Sequence, residues 1–397
     1  MSRFHSYINT AKYLLENYKG DKPFVIFAKQ FFAANKKYGA KDRRHVSSLC
    51  FNYFRLGFFA DGLAMEEKML LAKFICDHES SELMEKLRPE WNDQVKLPID
   101  EKLSIATPGI SIKEIFPLGA KLSNGIDVDA FCRSFLVQPD LFIRIRPSTR
   151  MTALKKLERS KIPYQIHGED CVQMPQGTRV EDHFIIDKEV VIQDYSSQQV
   201  LNFLKDEQVQ NSFAGNQSKT GVTIWDCCAA SGGKSILVTD IFNGKLDLTI
   251  SDIRASIVLN LHQRFIKAGI KAYKYFISDV SDPDFTPIAT DFAVIICDAP
   301  CTGSGTWSRT PEQLCYFNEA STEEYNQLQK KIVTHVMPHL QTGGLFIYIT
   351  CSVFKKENEE IVEFITENFN CKILQQQLLI GYRKKADSMF VAVFKKL

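Results

Sequence analysis

Two cysteines stand in short segments where a thiol lies beside an acid or hydroxyl groups. Cys301 closes the segment DAPC, three residues after Asp298, and Cys351 lies in the segment TCS. Each follows an apolar segment that is typical of a buried strand. A thiolate can attack an electrophilic carbon or bind a metal ion, whereas a lone cysteine is more often a core residue. The neighbours that the fold brings to each thiol therefore decide its chemistry.

Zinc binding is one alternative for these cysteines. The spacing Cys297-x-x-x-Cys301 resembles one arm of a zinc site. A tetrahedral site needs a second pair of cysteine or histidine ligands. The sequence offers no convincing second arm, so we expect no metal ion.

A glycine-containing segment, DCCAASGGKS, covers residues 226–235 and follows a strand-like segment. Glycines there let the backbone approach a ligand closely. A P-loop would need a glycine five residues before Gly233, where the sequence has Cys228. The dinucleotide pattern G-x-G-x-x-G is also absent. Both a nucleoside triphosphatase and a dinucleotide-dependent oxidoreductase are therefore disfavoured.

Aspartates end four successive strand-like segments, at Asp226, Asp252, Asp279 and Asp298. One such acid is usually a cap, but four in series indicate a ligand site at one edge of a sheet. Asp252 follows the glycines by about 20 residues, where a carboxylate suits the hydroxyl groups of a ribose. Asp279 can accept a hydrogen bond from an adenine amino group. The series predicts a nucleoside-containing cofactor lying across the end of the sheet.

The elements that must position these residues alternate between strands and helices from residue 222 onward. This alternation predicts a mostly parallel, doubly wound α/β sheet with helices on both faces and ligands at the carboxyl ends of its strands. The first 100 or so residues have helical spacing, and residues 90–126 are predicted to be a linker or a loop-rich edge. The segment LFIRIRP predicts a strand with one basic face in a small α/β unit. Residues 204–221 are predicted to be a polar loop.

Charge is unevenly distributed along the 397 residues. The formal net charge is only +2, but residues 1–60 hold 11 Lys/Arg against 3 Asp/Glu, and residues 140–165 hold 7 against 2. Such local excess indicates either a polyanionic partner or a solvated helical face. The eleven cysteines have no disulfide-like spacing, and neither a signal peptide nor an apolar run of roughly 18 residues is found. We therefore expect a reduced, cytoplasmic protein without a membrane segment.

The chain from about residue 190 onward resembles the RsmB/Nop2/Sun family of RNA cytosine-5 methyltransferases. The segments that carry the resemblance are VVIQDYSSQ, DCCAASGGKS, SDIR, SDV, DAPCTGSGTWSRTPE and YITCSVFKKENEEIV. The pairing of DAPC with a later TCS is specific to this family. The resemblance implies a Rossmann-like catalytic domain in residues 206–397 that depends on S-adenosyl-L-methionine (SAM).

Two further segments resemble the front of the ribosomal-RNA branch of this family. YGAKDRRHVSSLCFNYFRLG is similar to a NusB-like RNA-binding domain, which implies a helical domain in residues 1–125. QPDLFIRIRPSTR is similar to a strand of a small α/β RNA-binding subdomain, which implies residues 126–205. Ser231 replaces the usual proline of the first motif, and Arg146 replaces an asparagine.

Site roles follow from the resemblance. Cys351 is the nucleophile that adds to C6 of the cytosine, and Cys301 is assigned to product release. Asp298 is placed at the N3 edge of the base and also against the cofactor, while Lys234 favours the thiolate or contacts the base. Asp252 and Asp279 are expected to hold ribose and adenine. The backbone expected to cradle the methionine part of SAM comprises Cys228, Ala229, Ala230, Ser231, Gly232, Gly233 and Lys234.

The predicted function is thus SAM-dependent methylation of C5 of a cytosine in RNA, by a monomer. Ribosomal RNA is the expected substrate, with transfer RNA as the alternative. A catalytically idle RNA-binding ribosome-assembly factor is the competing hypothesis from another class. Arg309, in SRTPE, is expected to contact a phosphate or to form a surface ion pair.

Overall fold

A computed structural model describes residues 3–213, 221–286 and 291–397. The chain divides into two compact units. We call the first the helical unit; it comprises Met1–Ala120, Ile126–Gln138 and Trp307–Asn318. We call the second the α/β unit; it comprises Lys121–Gly125, Pro139–Thr306 and Glu319–Leu397. The three-domain division of the sequence stays a prediction.

The described residues form α-helices in both units. In chain order these are α1 (Arg3–Asn17), α2 (Phe24–Ala34), α3 (Ala40–Arg55), α4 (Met65–Cys76), α5 (Glu82–Leu87), α6 (Pro89–Asp93), α7 (Ile99–Ala106), α8 (Val128–Phe135), α9 (Arg150–Arg159), α10 (Glu207–Ser212), α11 (Gly233–Ile241), α12 (Ala255–Ala268), α13 (Glu312–Tyr316), α14 (Ala320–Val336) and α15 (Glu359–Asn368).

The strands all belong to the α/β unit. They are β1 (Leu141–Ile145), β2 (Gln165–His167), β3 (Cys171–Met174), β4 (Val190–Ile192), β5 (Val222–Asp226), β6 (Leu246–Asp252), β7 (Lys274–Ile277), β8 (Phe292–Asp298), β9 (Leu340–Thr350), β10 (Cys371–Leu379) and β11 (Met389–Lys396).

The helical unit packs α1 to α8 with α13 around an aromatic core. Tyr18, Phe24 and Phe54 are buried there with ring centroids 5.0–5.8 Å apart. The buried Phe24 N–H donates to Glu312 Oε1 at 3.0 Å, which ties α2 to α13. Residues 90–126 are not the simple linker predicted, because α7 lies within them. A proline at a helix start lacks only an N–H that has no partner there anyway, so Pro98 can precede α7 directly.

The basic residues near the amino end lie mostly on the surface of the helical unit. Arg55 is the exception; it is buried and donates to the carbonyl oxygens of Phe135 at 2.7 Å and Ser308 at 3.1 Å. The exposed set is Arg3, Lys12, Lys19, Lys29, Lys36, Lys37, Lys41, Arg43 and Arg44. The charge excess of residues 1–60 therefore faces solvent.

A four-stranded antiparallel sheet in the order β2-β3-β1-β4 packs against α9 in the α/β unit. The prediction that strand β1 has an exposed basic face is wrong. Arg144 and its neighbour Arg146 are buried, and both donate to the carboxylate of Asp240 on α11, at 2.6 and 2.7 Å. These arginines are structural, because one carboxylate binds both guanidinium groups inside the unit.

A seven-stranded sheet in the order β10-β11-β9-β8-β5-β6-β7 forms the main framework of the α/β unit. Strands β5 to β9 are parallel, whereas β11 runs antiparallel to its neighbours β9 and β10. Helices α11 and α12 contribute Ile236 and Leu261 to the core on one face, and α14 and α15 contribute Val333 and Ile361 on the other. The prediction of a doubly wound α/β sheet is confirmed.

Two local predictions differ from the structure. Strand β10 was not predicted, because its segment CKILQQQLL is polar and exposed along most of its length at the sheet edge. The predicted loop at 204–221 contains α10 in its first part, capped by Asp206, and its residues 214–220 lie outside the described residues. Of the helices within the described ranges, none is long and apolar enough to cross a membrane.

Candidate active site

The carboxyl ends of the parallel strands bring the predicted residues to one edge of the sheet. Asp226, Asp252 and Asp298 are the last residues of β5, β6 and β8, and Cys351 follows β9 directly. Parallel neighbours end on the same side, so these side chains converge although they are far apart in the sequence.

Two clefts open at this edge. The acidic cleft has a volume of about 450 Å³ and includes Asp252, Asp279, Asp298 and Cys301 in its lining. The Cys351 cleft, of about 300 Å³, is lined by Ala229, Ser231, Gly233, Lys234 and Cys351, among others. Cys228, Ala230 and Asp298 line both clefts. Both volumes lie within the roughly 300–1,000 Å³ of ligand pockets.

The two thiols of the DAPC and TCS segments lie together. Cys301 Sγ is 3.3 Å from Cys351 Sγ, and both cysteines are free. The hydrogen bond with Cys351, together with burial, raises the pKa of Cys301 well above its usual range. Cys301 therefore keeps its proton at neutral pH and can donate it to the sulfur of Cys351.

Lys234, the second residue of α11, forms a mostly buried ion pair with Asp298. Burial opposes the charge of this lysine, but Asp298, Cys351 and Asp226 outweigh it and raise the pKa of Lys234. The ammonium group is thus a permanent cation near the Cys351 thiol. Such a cation favours the thiolate form of a cysteine.

Asp226 is fully buried under these residues. Burial raises the pKa of Asp226 to about 7, although Ser235 Oγ donates to its Oδ2 at 2.6 Å. Its other oxygen, Oδ1, has no hydrogen-bond partner among the described residues. This aspartate therefore carries its proton over part of the neutral range.

The glycine loop between β5 and α11 is shaped by unusual backbone angles. Ala230 has φ 46° and Gly232 has φ 81°. A Cβ atom at Gly232 would lie 2.8 Å from Phe265 Cε1, so the loop requires glycine there. Ala230 N donates to Asp252 Oδ2 at 2.9 Å, which fixes the loop against β6.

The two acids predicted to bind the nucleoside differ in their surroundings. Asp252 is buried, and its carboxylate also accepts from the backbone and guanidinium of Arg254 at 2.9 and 3.0 Å. Burial opposes ionisation, but these hydrogen bonds from Arg254 and Ala230 lower the pKa of Asp252. Asp279 is exposed at the rim of the acidic cleft and accepts from Ser281.

Glu357 is a site residue that the sequence reasoning missed. Its buried carboxylate accepts from Thr302 N at 2.8 Å and Thr302 Oγ1 at 2.6 Å, and also from Ser352 Oγ. Thr302 follows Cys301 and Ser352 follows Cys351, so one carboxylate joins the two thiol segments. Burial raises the pKa of Glu357. Glu357 is one of several acids in the segment KKENEEIV, so no local sequence pattern indicates that its side chain turns back toward the thiols.

Arg264 of α12 is a second missed residue. Its guanidinium donates to Ser231 O at 2.9 Å and Ser231 Oγ at 3.0 Å, and forms an ion pair with Asp187 at 2.7 Å. Ser231, the departure from the family pattern, is thus held by a hydrogen bond that proline could not accept through its side chain. Arg309 belongs to the helical unit, and its predicted phosphate contact stays a prediction.

The cysteines of the Cys297-x-x-x-Cys301 spacing do not lie in one cluster. The Sγ atom of Cys297 lies within 4.8 Å of those of Cys227 and Cys228, whereas Cys301 pairs with Cys351. Hydrogen bonds from the Cys227 and Cys228 thiols lower the pKa of Cys297 to about 6. The proposed zinc arm is therefore not formed.

Comparison with known proteins now identifies the family. The family model described as 16S rRNA methyltransferase RsmB/F matches residues 216–394, which include the sheet, the glycine loop and both thiol segments. These residues match the methyltransferase domain of the RsmB/Nop2/Sun family. The resemblance stated from the sequence motifs is thereby confirmed, while the NusB-like character of the helical unit stays a prediction.

Curated relatives of this chain include enzymes named for two RNA classes. Ribosomal RNA small subunit methyltransferase B of Cronobacter sakazakii is 29% identical over 56% of this chain and 50% of its own length. The human tRNA (cytosine(72)-C(5))-methyltransferase NSUN6 is 29% identical over 40% of this chain and 35% of its own. The chain spans about half the length of the first of these relatives and about a third of the second.

A solved structure shows the same fold over the whole chain. The crystal structure of PH0851 has a TM-score of 0.69 at 18% sequence identity and covers 99% of this chain and 98% of its own. At this identity the likeness concerns the fold alone. It extends the match to residues 1–215, which the family model does not reach and which include most of the helical unit.

Proposed function

We propose that this chain transfers a methyl group from SAM to C5 of a cytosine in RNA. The observation that carries the proposal is the pair of thiols, Cys301 and Cys351, with Sγ atoms 3.3 Å apart where two clefts meet. A single nucleophile would need only one thiol. Membership of the RsmB/Nop2/Sun family supports the same activity.

The acidic cleft fits SAM by the chemistry of its donor and acceptor groups. Asp252 and Asp279 offer carboxylate oxygens to ribose hydroxyl groups and to the adenine amino group. The backbone from Cys228 to Lys234 would hold the methionine part, because Gly232 lets the loop turn sharply toward α12. When bound, SAM supplies an electrophilic methyl group. Cys228, Ala230 and Asp298 line both clefts, so the two ligands would meet beside these residues.

The first chemical step uses Cys351 and the Lys234–Asp298 pair. C5 of cytosine is a poor nucleophile until a thiolate adds to C6. The S–C6 bond then forms, the C5=C6 double bond opens, and negative charge develops toward N3 and O2. The Lys234–Asp298 ion pair is beside Cys351, so its ammonium and carboxylate groups can hydrogen-bond this edge of the base, and the ammonium stabilises that charge. The resulting C5 has enamine character and accepts the methyl group.

Product release requires that the C5 proton leave and that the S–C6 bond break. A water molecule takes the proton, the C5=C6 double bond re-forms, and the sulfur of Cys351 departs with the electron pair. Cys301 enters this step as a thiol because its pKa is raised. Its S–H, 3.3 Å from the departing sulfur, stabilises the thiolate that forms. The first thiol thus makes the covalent bond and the second assists its breakage.

Ribosomal RNA of the small subunit is the substrate that we propose first, since the matching family model and the Cronobacter relative carry that name. Transfer RNA is the second candidate because of NSUN6. The exposed basic residues of α1, α2 and α3 support a polyanionic partner for the helical unit. We further propose that the chain acts as a cytoplasmic monomer.

Labelled transfer and two cysteine variants test this mechanism. The full chain is incubated with methyl-labelled SAM and unmodified small-subunit rRNA or tRNA, and the digested RNA is analysed for 5-methylcytidine. We expect label with the unsubstituted chain, none with Cys351→Ala, and a protein–RNA adduct resistant to denaturation with Cys301→Ala. Cys371→Ala, which removes a cysteine of β10 outside both clefts, is the matched control and should retain transfer.

Other outcomes discriminate between the hypotheses. Cofactor binding with no label in either RNA would favour an RNA-binding assembly factor. Full transfer by Cys351→Ala would refute the assignment of the nucleophile, and the absence of an adduct in an inactive Cys301→Ala would refute its role in release.

A further inference from the structure

Three cysteines of the seven-stranded sheet lie together at a place that the proposed mechanism does not use. Cys227 and Cys228 directly follow β5, and Cys297 is the penultimate residue of the neighbouring strand β8. Their Sγ atoms all lie within 4.8 Å of one another. Hydrophobic packing alone does not require three sulfur atoms to converge.

The spacing of these sulfurs suits a thiophilic ion. A tetrahedral Zn²⁺ ion lies about 2.3 Å from each thiolate, which separates the sulfurs by roughly 3.8 Å. Sulfurs already within 4.8 Å of one another reach that spacing by shifts of about 1 Å or less.

Access from the two clefts and an acidic side chain next to the cluster also favour the binding of a cation. Cys227 and Cys297 are buried, but Cys228 is half-buried and lines both the acidic cleft and the Cys351 cleft. An ion and a fourth ligand can therefore reach the cluster from the clefts. Asp226 precedes Cys227, and one of its buried oxygens has no partner among the described residues.

We propose that Cys227, Cys228 and Cys297 bind one thiophilic divalent ion of the Zn²⁺ type, with the fourth coordination position open to the clefts. Binding releases the thiol protons to solvent as the S–metal bonds form. Because Cys228 also lines the acidic cleft, the bound ion competes with the cofactor. This second part rests on the proposed function. No local pattern indicates the cluster, since Cys297 lies about 70 residues from its partners in the chain.

Metal titration tests the site. The full chain carrying Cys301→Ser and Cys351→Ser, which silence the other thiol pair, is titrated with Zn²⁺ against a chromophoric chelator. Cd²⁺ then reports the number of thiolate ligands by its ultraviolet charge-transfer absorption. We expect one ion per chain with three thiolates. Loss of even an indirect metal partner costs about 10–100-fold in affinity, so adding Cys297→Ala should weaken binding by at least about 100-fold.

Controls keep the test decisive. Cys50→Ala removes a buried cysteine of the helical unit and should leave metal affinity unchanged. Cys227→Ala is a second ligand variant, and circular dichroism of each chain separates loss of a ligand from loss of the fold. No Zn²⁺ uptake by the parent chain, or equal affinity in folded Cys297→Ala, would overturn the site.

The competition is measured separately with S-adenosyl-L-homocysteine. Saturating Zn²⁺ should weaken its binding at least tenfold in the parent chain and leave it unchanged in Cys297→Ala. Equal binding with and without Zn²⁺ overturns the competition. Failure of both chains to bind this cofactor product would count against the proposed function, while the metal titration would stand by itself.

Discussion

Replacement of Glu357 should most clearly distinguish an effect on stability from an effect on methyl transfer. Its carboxylate joins Thr302, next to Cys301, to Ser352, next to Cys351. Glu357→Ala removes the acceptor of the Thr302 N–H and of two hydroxyl groups. A buried donor left without a partner costs about 1–3 kcal/mol. The hydroxyls can turn toward Ser304 at 3.1–3.2 Å, so we expect a total loss of about 2–4 kcal/mol.

The chemical consequence should exceed the loss of stability. Without the carboxylate, the two thiol segments lose one of the links between them, and a displacement of about 1 Å between reacting groups can cost about 100-fold in rate. We expect single-turnover transfer of label to RNA to fall by about that factor in Glu357→Ala under conditions where the variant is still folded.

Glu357→Gln is the matched variant. Its amide oxygen still accepts from Thr302 N, and its NH₂ group can donate to the hydroxyl oxygens of Thr302 and Ser352. We therefore expect stability within about 1 kcal/mol of the parent chain and near-normal transfer. Wild-type unfolding and transfer in Glu357→Ala, or equal losses in both variants, would refute the assignment of Glu357 as the anchor.

The pH dependence of stability in the parent chain and in Glu357→Gln gives an independent check on the buried carboxylate. Burial raises the pKa of Glu357 in the folded protein. The protonated form is therefore favoured by folding, so its contribution to stability is present below the unfolded pKa and is lost as pH rises through the folded pKa. Glutamine does not titrate. The free energy of unfolding is measured by chemical denaturation for both chains. As pH rises through the folded-state pKa of Glu357, the value for Glu357→Gln should increase relative to that of the parent chain.

Two further substitutions test the supports of the site. Gly305→Ala would place a Cβ atom 2.1 Å from the backbone oxygen of Ser388 and should unseat the loop that holds Cys351, so label transfer should fall more than tenfold; unchanged transfer would contradict this. Asp240→Asn leaves Arg144 and Arg146 buried without their anion and should destabilise the chain by about 3–5 kcal/mol in denaturation. A change below about 1 kcal/mol, as at an exposed pair, would show that these arginines are hydrated instead.

The sequence alone carried most of the fold of the α/β unit. Alternating strand-like and helix-like segments from residue 222 onward predicted the parallel sheet, because hydrophobic periodicity is a local property of each element. The same pattern placed Asp226, Asp252 and Asp298 at strand ends, where the structure has them. Strand β10 escaped because an edge strand exposed on both faces shows no such periodicity.

Only the tertiary structure decided which residues meet. Arg144 and Arg146 looked like a basic face, yet they are buried because Asp240, about 95 residues away, reaches the same place. Glu357 looked like one acid among several in a charged segment, yet it turns inward to join two loops. Side-chain partners of this kind come from different elements, so no local pattern in the chain encodes them.

The thiols show most directly what can be predicted from the sequence and what only the tertiary structure decides. Residue types and motif spacing predicted that Cys301 and Cys351 take part in chemistry rather than only packing in the core. The sheet decided that they lie 3.3 Å apart, and that Cys297, only four residues from Cys301, belongs to a different cluster with Cys227 and Cys228. The physical reason is that side chains along an extended strand point to alternate faces, and the chain turns sharply after Asp298, so proximity in sequence does not set proximity in space.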